Sequence, residues 1–281
     1  MKVKIYFLFV IFFAFIIANP TDAKSFKFAQ LTDIHYTQCP SKQSNRDLSL
    51  CEKNLEYAVN SINKQDPLFT VFLGDNIDKS NEENLVNFLR TTRKLMNPYY
   101  FVLGNHDAYK LSGIPKKEYI NYINEYNPYQ KFKAPYYYFY PNKDTIAIVV
   151  DGAMPFAPST HGEYTDEMLN WLDEILSKNK TKMVLLFQHF PIIPPYENYT
   201  HTIINPNRYL NIIKTHKNIV LISSGHYHKE KTTIDENGIY HISVQSLIEQ
   251  PGTYQIVKIS YDKKLFSRPL NVKVEINKIK I

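Results

Sequence analysis

Apolar positions along the chain follow two periods. Short unbroken runs at residues 26–31, 68–73, 100–103, 183–187 and 219–222 predict buried strands. Between them, apolar residues recur three and four apart. Leu55, Val59 and Ile62 predict a helix over 51–65. Leu85, Phe88, Leu89 and Leu95 predict another, opened by Ser80-Asn81-Glu82-Glu83, in which Ser80 and Glu83 have capping-box spacing. Helices are also expected over 119–126, over 208–215, and behind Thr165, where Met168, Leu169, Leu172 and Leu176 share one face. Residues 136–140 and 145–150 read as extended. From Lys229 onward the pattern turns to strands, with Asn237-Gly238 as a hairpin turn between 232–234 and 239–243. Nothing repeats and no linker interrupts the pattern, so one α/β domain with an antiparallel end is predicted.

The first residues form a separate unit. Lys2 and Lys4 precede an apolar run of 14 residues, 5–18, and Asn19-Pro20-Thr21-Asp22-Ala23 follows with small residues at the last and third-last positions. This is the layout of a secretory signal peptide. At 1.5 Å per residue the run reaches about 21 Å, short of a ~30 Å hydrocarbon core. The expected organisation is therefore a signal peptide over 1–23 and a domain over 24–281 with no membrane span, secreted or periplasmic. In such a compartment Cys39 and Cys51 are expected to form a disulfide, and a loop of that order is worth ~3 kcal/mol by chain entropy. The formal charge of +6 is spread along the chain and predicts no specific nucleic-acid binding.

Chemistry-bearing residues gather where the predicted strands end. Residues 26–31 run into Asp33-Ile34-His35, 68–73 into Gly74-Asp75, and 100–103 into Gly104-Asn105-His106-Asp107. Residues 183–187 lead to Gln188-His189, and 219–222 to Gly225-His226-Tyr227-His228. In open α/β sheets that edge is where ligands sit. Asp33, His35, Asp75, Asn105, His189, His226 and His228 supply hard oxygens and borderline nitrogens without a thiolate, a set suited to Mn, Fe, Zn or Co. Seven donors exceed one tetrahedral ion and suit two ions sharing a carboxylate. A single structural zinc is the competing reading, and metal stoichiometry separates the two.

In this order, the five blocks resemble the signature of the calcineurin-like metallophosphoesterase superfamily. The resemblance implies two packed mixed β-sheets flanked by helices, in four α-β-β-α layers. It implies one divalent or trivalent ion at Asp33, His35, Asp75 and His228, and a second at Asp75, Asn105, His189 and His226. His106 is then the residue that meets the phosphoryl group or leaving oxygen, and Asp107 the one that orients His106. Two cations ~3.5–4 Å apart screen a phosphate ester, generate hydroxide at neutral pH and clamp both oxygens of an in-line displacement.

Within the superfamily, Gly74-Asp75-Asn76-Ile77-Asp78-Lys79-Ser80 lacks the Arg-Gly of the protein Ser/Thr phosphatases, and Asp78 stands where purple acid phosphatases carry a metal-binding tyrosine. His161-Gly162-Glu163, Trp171-Leu172 and His189-Phe190-Pro191 resemble the group of class III cyclic-nucleotide phosphodiesterases. That layout implies a small phosphate ester or nucleotide as substrate, a lean towards phosphodiesters, and His161 at the phosphate. The aromatics of 135–141 or the loop 191–206 would hold the leaving group. A phosphomonoesterase, or a non-catalytic metal-binding scaffold, are the alternatives on the same fold. Asn179-Lys180-Thr181 and Asn198-Tyr199-Thr200 match the N-glycosylation sequon.

Overall fold

A computed structural model of the chain describes residues 22–38, 42–43, 46–197, 200–249, 251–263 and 269–281. The segment 1–21, Cys39 and Asn198 lie outside the described residues, and with them most of the expected signal peptide, one half of the expected disulfide and the second sequon. Cys51 is buried, and its Sγ lies 3.4 Å from Thr37 N.

Two large sheets form the body. The first has the order β15 (Leu270–Lys280), β14 (Thr253–Lys263), β1 (Asp22–Leu31), β4 (Thr70–Phe72), β5 (Tyr99–Phe101). The second runs β12 (Lys231–Ile234), β13 (Tyr240–Ser243), β11 (Ile219–Ser224), β9 (Met183–Phe187), β7 (Thr145–Val149), β6 (Tyr137–Asn142). Two short pairs, β2 (Lys42–Gln43) with β3 (Arg46–Asp47) and β8 (Gly162–Glu163) with β10 (Ile203–Ile204), lie outside them. β1, β4 and β5 are parallel, as are β7, β9, β11 and β13, whereas β6, β12, β14 and β15 each join antiparallel. The predicted antiparallel end is thus distributed over both sheets.

The sheets meet face to face through aromatic rings. Phe28 stacks on Phe69 at 4.9 Å and meets Phe187 of the other sheet edge-on at 5.6 Å, and Tyr100 stacks on Phe139. A buried polar seam crosses the same gap. Ser223 Oγ donates to Gln30 Oε1, and Gln30 Nε2 donates to Gln255 Oε1, both at 2.7 Å, so these buried groups are satisfied. At one end Lys24 of β1 pairs with Asp144, in the β6–β7 turn, at 2.9 Å.

Helices cover the outer faces. α1 (Cys51–Gln65), α2 (Glu82–Thr92) and α3 (Lys116–Tyr126) belong to the first sheet, with Phe88 of α2 against Phe72 and Phe101. α4 (Asp166–Lys178) and α5 (Asn207–Thr215) cover the second, with Trp171 against Tyr136 and Tyr209 against Tyr164. The four-layer expectation holds. Thr165 caps α4 as predicted, its side chain accepting from Met168 N. The cap of α2 differs from the expectation by one residue. Asn81 accepts from Asn84 N, and Ser80 instead donates to Asp107 O and accepts from Ile114 N. Asn179 of the first sequon is buried, with its amide committed to Ile175 O and Tyr140 OH.

Candidate metal centre

The carboxyl ends of the parallel strands from both sheets converge on one edge. Their turns are held by cross-links between the ends: Asp33 N donates to Gly74 O, His35 N to Asp75 O, and Gly225 N to His189 O, each at 3.0 Å. The backbone there is strained. Asp33, His35, Asp75, His226 and His228 have positive φ of 50°, 45°, 49°, 71° and 57°, a conformation that costs of order 1–3 kcal/mol per non-glycine residue and clusters at functional sites. Gly74, at φ 97°, leaves no room for a side chain: a Cβ there would lie 2.5 Å from His189 Nδ1.

Six of the seven predicted donors form two groups, Asp33 with His35 and His228, and Asp75 with His189 and His226. Asp33 Oδ1 lies 3.2 Å from His228 Nε2 and 3.9 Å from His35 Nε2, and the two imidazole nitrogens are 3.2 Å apart. Asp75 Oδ2 stands 3.8 Å from His35 Nε2 and 3.3 Å from His189 Nε2, and His226 offers a ring nitrogen to the second group. Asn105 Oδ1, Asp33 Oδ1 and His189 Nε2 are buried without a hydrogen-bond partner, which is costly unless something else satisfies them. The other carboxylate oxygens are occupied by the scaffold. Asp33 Oδ2 accepts from Thr32 Oγ1 at 2.7 Å and His226 N at 3.0 Å, and Asp75 Oδ1 accepts from His106 N at 2.9 Å. Asp75 Oδ2 is thus the oxygen left facing donors of both groups.

Outer partners set the tautomers. His189 Nδ1 donates to Leu73 O at 2.8 Å and His226 Nε2 to Thr160 O at 2.9 Å, leaving His189 Nε2 and His226 Nδ1 as lone-pair donors. His35 Nδ1 faces Asp78 Oδ1 at 3.5 Å and His228 Nδ1 faces Glu249 Oε1 at 3.2 Å. Burial pushes Asp33 and Asp75 towards the neutral form, but the imidazoles facing them, chiefly His228 and His189, outweigh it and hold both carboxyls well below the usual range. Burial also lowers His35 to about 4 and His226 to about 3. Burial acts the same way on His189, yet the Asp75 charge prevails and raises it to about 9. These carboxylates attract positive charge to this point, as a proton on His189 or as a metal cation in its place. The residues fit two cations.

The remaining predicted residues divide. His106 sits beside the centre, its ring 4.6 Å from that of His35, and it also forms a ligand-capable group with His35 and Asp75. Its Nδ1 donates to Asp78 O at 2.7 Å. Asp107 does not orient it, contrary to expectation. The Asp107 carboxylate is fully buried and accepts from Asn76 N, Asn76 Nδ2, Ile77 N, Gly104 N and Tyr119 OH. It ties the turn after β4 to the turn after β5. Burial and the Asp75 charge push its pKa up to about 7.

His161 lies one residue from the carbonyl that holds His226, with its Nδ1 3.3 Å from Thr202 O. The loop 191–206 reaches the second group through His201, whose ring is 5.0 Å from that of His226. In the aromatic run, Tyr137 and Phe139 are core residues, and Tyr138 lies towards Trp171. The residues missed in the sequence are those acting from behind: Asp78, Glu249, Thr32 and His201. Only Asp78, three positions after Asp75, lay within a recognised block.

A sequence model described as calcineurin-like phosphoesterase matches residues 26–230. The chain is 25% identical over 295 aligned residues to a manganese-dependent ADP-ribose/CDP-alcohol diphosphatase of Arabidopsis thaliana, covering 85% of this chain and 92% of that protein. It is 23% identical to a probable glycerophosphodiester phosphodiesterase of Arcobacter nitrofigilis, covering 73% and 72%. Among solved structures, a dimetal phosphatase from Danio rerio shares the fold with a TM-score of 0.69 at 15% identity, over 89% of this chain and 98% of that one.

Proposed function

The chain belongs to the calcineurin-like phosphoesterase family, and we propose that it hydrolyses a phosphate bearing two substituents, a phosphodiester or a diphosphate linkage, outside the cytoplasm. It is a metal-dependent phosphoric ester hydrolase. The observation that carries the dinuclear reading is Asp75 Oδ2, which faces donors of both groups. Asp33, His35, His228 and Asp75 would hold one cation, and Asp75, Asn105, His189 and His226 the other. When bound, the ions neutralise phosphate charge and make water a nucleophile at neutral pH. A neutral Asn105 would ligate without adding negative charge against the substrate.

We assign the leaving oxygen to His106, whose ring lies 4.6 Å from that of His35 beside the centre. Since Nδ1 donates to the Asp78 carbonyl, Nε2 is the atom that turns to the phosphoryl group. Carrying the proton there, it serves as general acid or stabilises transition-state charge. The preference for doubly substituted phosphate is supported by the names of two relatives, one a diphosphatase and one a phosphodiesterase, and by the motif segments 74–80 and 108–110, which lack the arginines of the protein Ser/Thr phosphatases. The loop 191–206, beside His226, is the candidate leaving-group wall. Export is supported by the pattern of 1–23, and a chain starting at Lys24 keeps the Lys24–Asp144 pair. Among the described residues no helix is long and apolar enough to cross a membrane.

The test is kcat/KM for a nitrophenyl monoester and a diester with the same leaving group, with Mn²⁺ present. The diester is expected to win. A monoester preference of about tenfold, ~1.4 kcal/mol, would overturn the substrate reading and leave the metal centre standing.

A further inference from the structure

The two donor groups differ in what stands behind their imidazoles. Around Asp33, both outward ring nitrogens face carboxylates: His35 Nδ1 meets Asp78 Oδ1 at 3.5 Å, and His228 Nδ1 meets Glu249 Oε1 at 3.2 Å. Around His189, both outward nitrogens donate to backbone carbonyls, Leu73 O and Thr160 O. The inner donors are unequal in the same direction, because Asp33 carries a charge where the second group has the neutral amide of Asn105.

Of the two outer carboxylates, Asp78 belongs to a residue that also holds His106 through its carbonyl, so a change at Glu249 leaves His106 undisturbed. Glu249 comes from the segment between β13 and β14, and that segment is fastened to the strand end that carries Asp33. Ser246 Oγ donates to Asp33 O at 2.8 Å, Leu247 N donates to Thr32 O at 3.1 Å, and Asn54 Nδ2 of α1 donates to Leu247 O at 3.0 Å. Leu247 and Ile248, both fully buried, anchor the chain immediately before it. The carboxylate is thereby held against His228 by the same framework that places Asp33.

A carboxylate behind a ligating imidazole fixes the ring and makes the inner nitrogen a better donor, and its loss typically costs ~10–100-fold in metal affinity. We propose that Glu249 is a positioning residue that makes the Asp33–His35–His228 group the tighter of two unequal cation sites. The proposal rests on the two-ion reading above.

Calorimetric titration of Mn²⁺ into the metal-free full domain tests it, with Glu249→Gln, Glu249→Ala and Asn105→Ala beside the wild type. Glu249→Gln keeps length and a hydrogen-bond acceptor but removes the charge. The wild type is expected to bind in two steps. Both Glu249 variants should weaken the tighter step by ~10–100-fold and leave the weaker step and the melting temperature of the metal-free protein unchanged. Asn105→Ala should weaken the other step. Fewer than two ions on the wild type overturns the two-ion reading and this proposal with it. Two ions on the wild type with either unchanged Glu249 titrations, or both steps weakened equally, overturns the role of Glu249 alone.

Discussion

Gly104→Ala perturbs the centre without removing a donor. An ideal Cβ on Gly104 falls 2.2 Å from Asp75 Oδ1 and 2.3 Å from Asp75 N, where ordinary contact begins at 3.4 Å. Something must move by about 1 Å, and one of the contacted atoms is backbone. The two turns have little freedom to part, because the Asp107 carboxylate accepts from Gly104 N at 2.7 Å and Asn76 N at 2.8 Å. Overpacking of this kind costs about 1–3 kcal/mol. Losing the bond from His106 N to the Asp75 carboxylate adds about 1.5–3 kcal/mol. At ~2–4 °C per kcal/mol for a domain of this size, melting should fall by about 5–24 °C. Displacing Asp75 by ~1 Å should lower kcat/KM by ~100-fold or more, with metal content reduced. The assays are thermal melting, metal analysis after dialysis, and diester hydrolysis with added Mn²⁺. A Gly104→Ala protein with two ions, an unchanged melting point and kcat/KM within about threefold of wild type would refute the close-packing argument.

His106→Ala is expected to keep both ions and lose ~100–10,000-fold in kcat; metal loss instead would make His106 a ligand. Asp144→Asn should destabilise the protein at pH 7 by about 1–3 kcal/mol, because Asp144 receives Lys24 at 2.9 Å and Tyr261 OH at 3.2 Å. Burial raises the Asp144 pKa, but the nearby Lys24 and Lys263 charges depress it overall. Its contribution is therefore complete above the ordinary carboxylate pKa of ~3.9 and lost as pH falls through the lower folded value. Melting curves of variant and wild type should converge only in acid; a gap that persists at the lowest pH contradicts the assignment. Intact mass of the exported protein should correspond to a chain starting near Lys24, and should rise by two hydrogen atoms on reduction of a Cys39–Cys51 bridge; a full-length chain with two thiols contradicts both.

The clustering of Asp33, His35, Asp75, His189, His226 and His228 was legible because each follows a short apolar run, and a strand that stops at a carboxylate or imidazole carries its chemistry to the sheet edge. What stands behind them was not. His106, His189 and His226 are oriented by carbonyls of Asp78, Leu73 and Thr160, and a backbone carbonyl has no residue type to read. Glu249 lies outside every motif, brought to His228 by folding of the segment after β13. Asp107 was misread because its role came with the motif resemblance, whereas its carboxylate turns to backbone donors across the β4 and β5 turns. Ser80 and Asn81 are both good caps, and the competing bonds of Ser80 to Asp107 and Ile114 decided between them. Glycine before Asp75 suggested a sharp turn, which its φ of 97° bears out. The left-handed backbone of Asp33 and His35 had no such signal.

The dinuclear reading turns on Asp75, whose Oδ2 faces donors of both groups. Counting Mn²⁺ bound per chain at equilibrium in wild type and in Asp75→Asn tests it most directly, with the melting temperature of the metal-free proteins as a folding control. Two ions are expected on the wild type, with weakened binding at both sites in the variant and loss of most hydrolysis. A wild-type chain that holds a single ion, or an Asp75→Asn chain that keeps two ions and wild-type turnover, would contradict it.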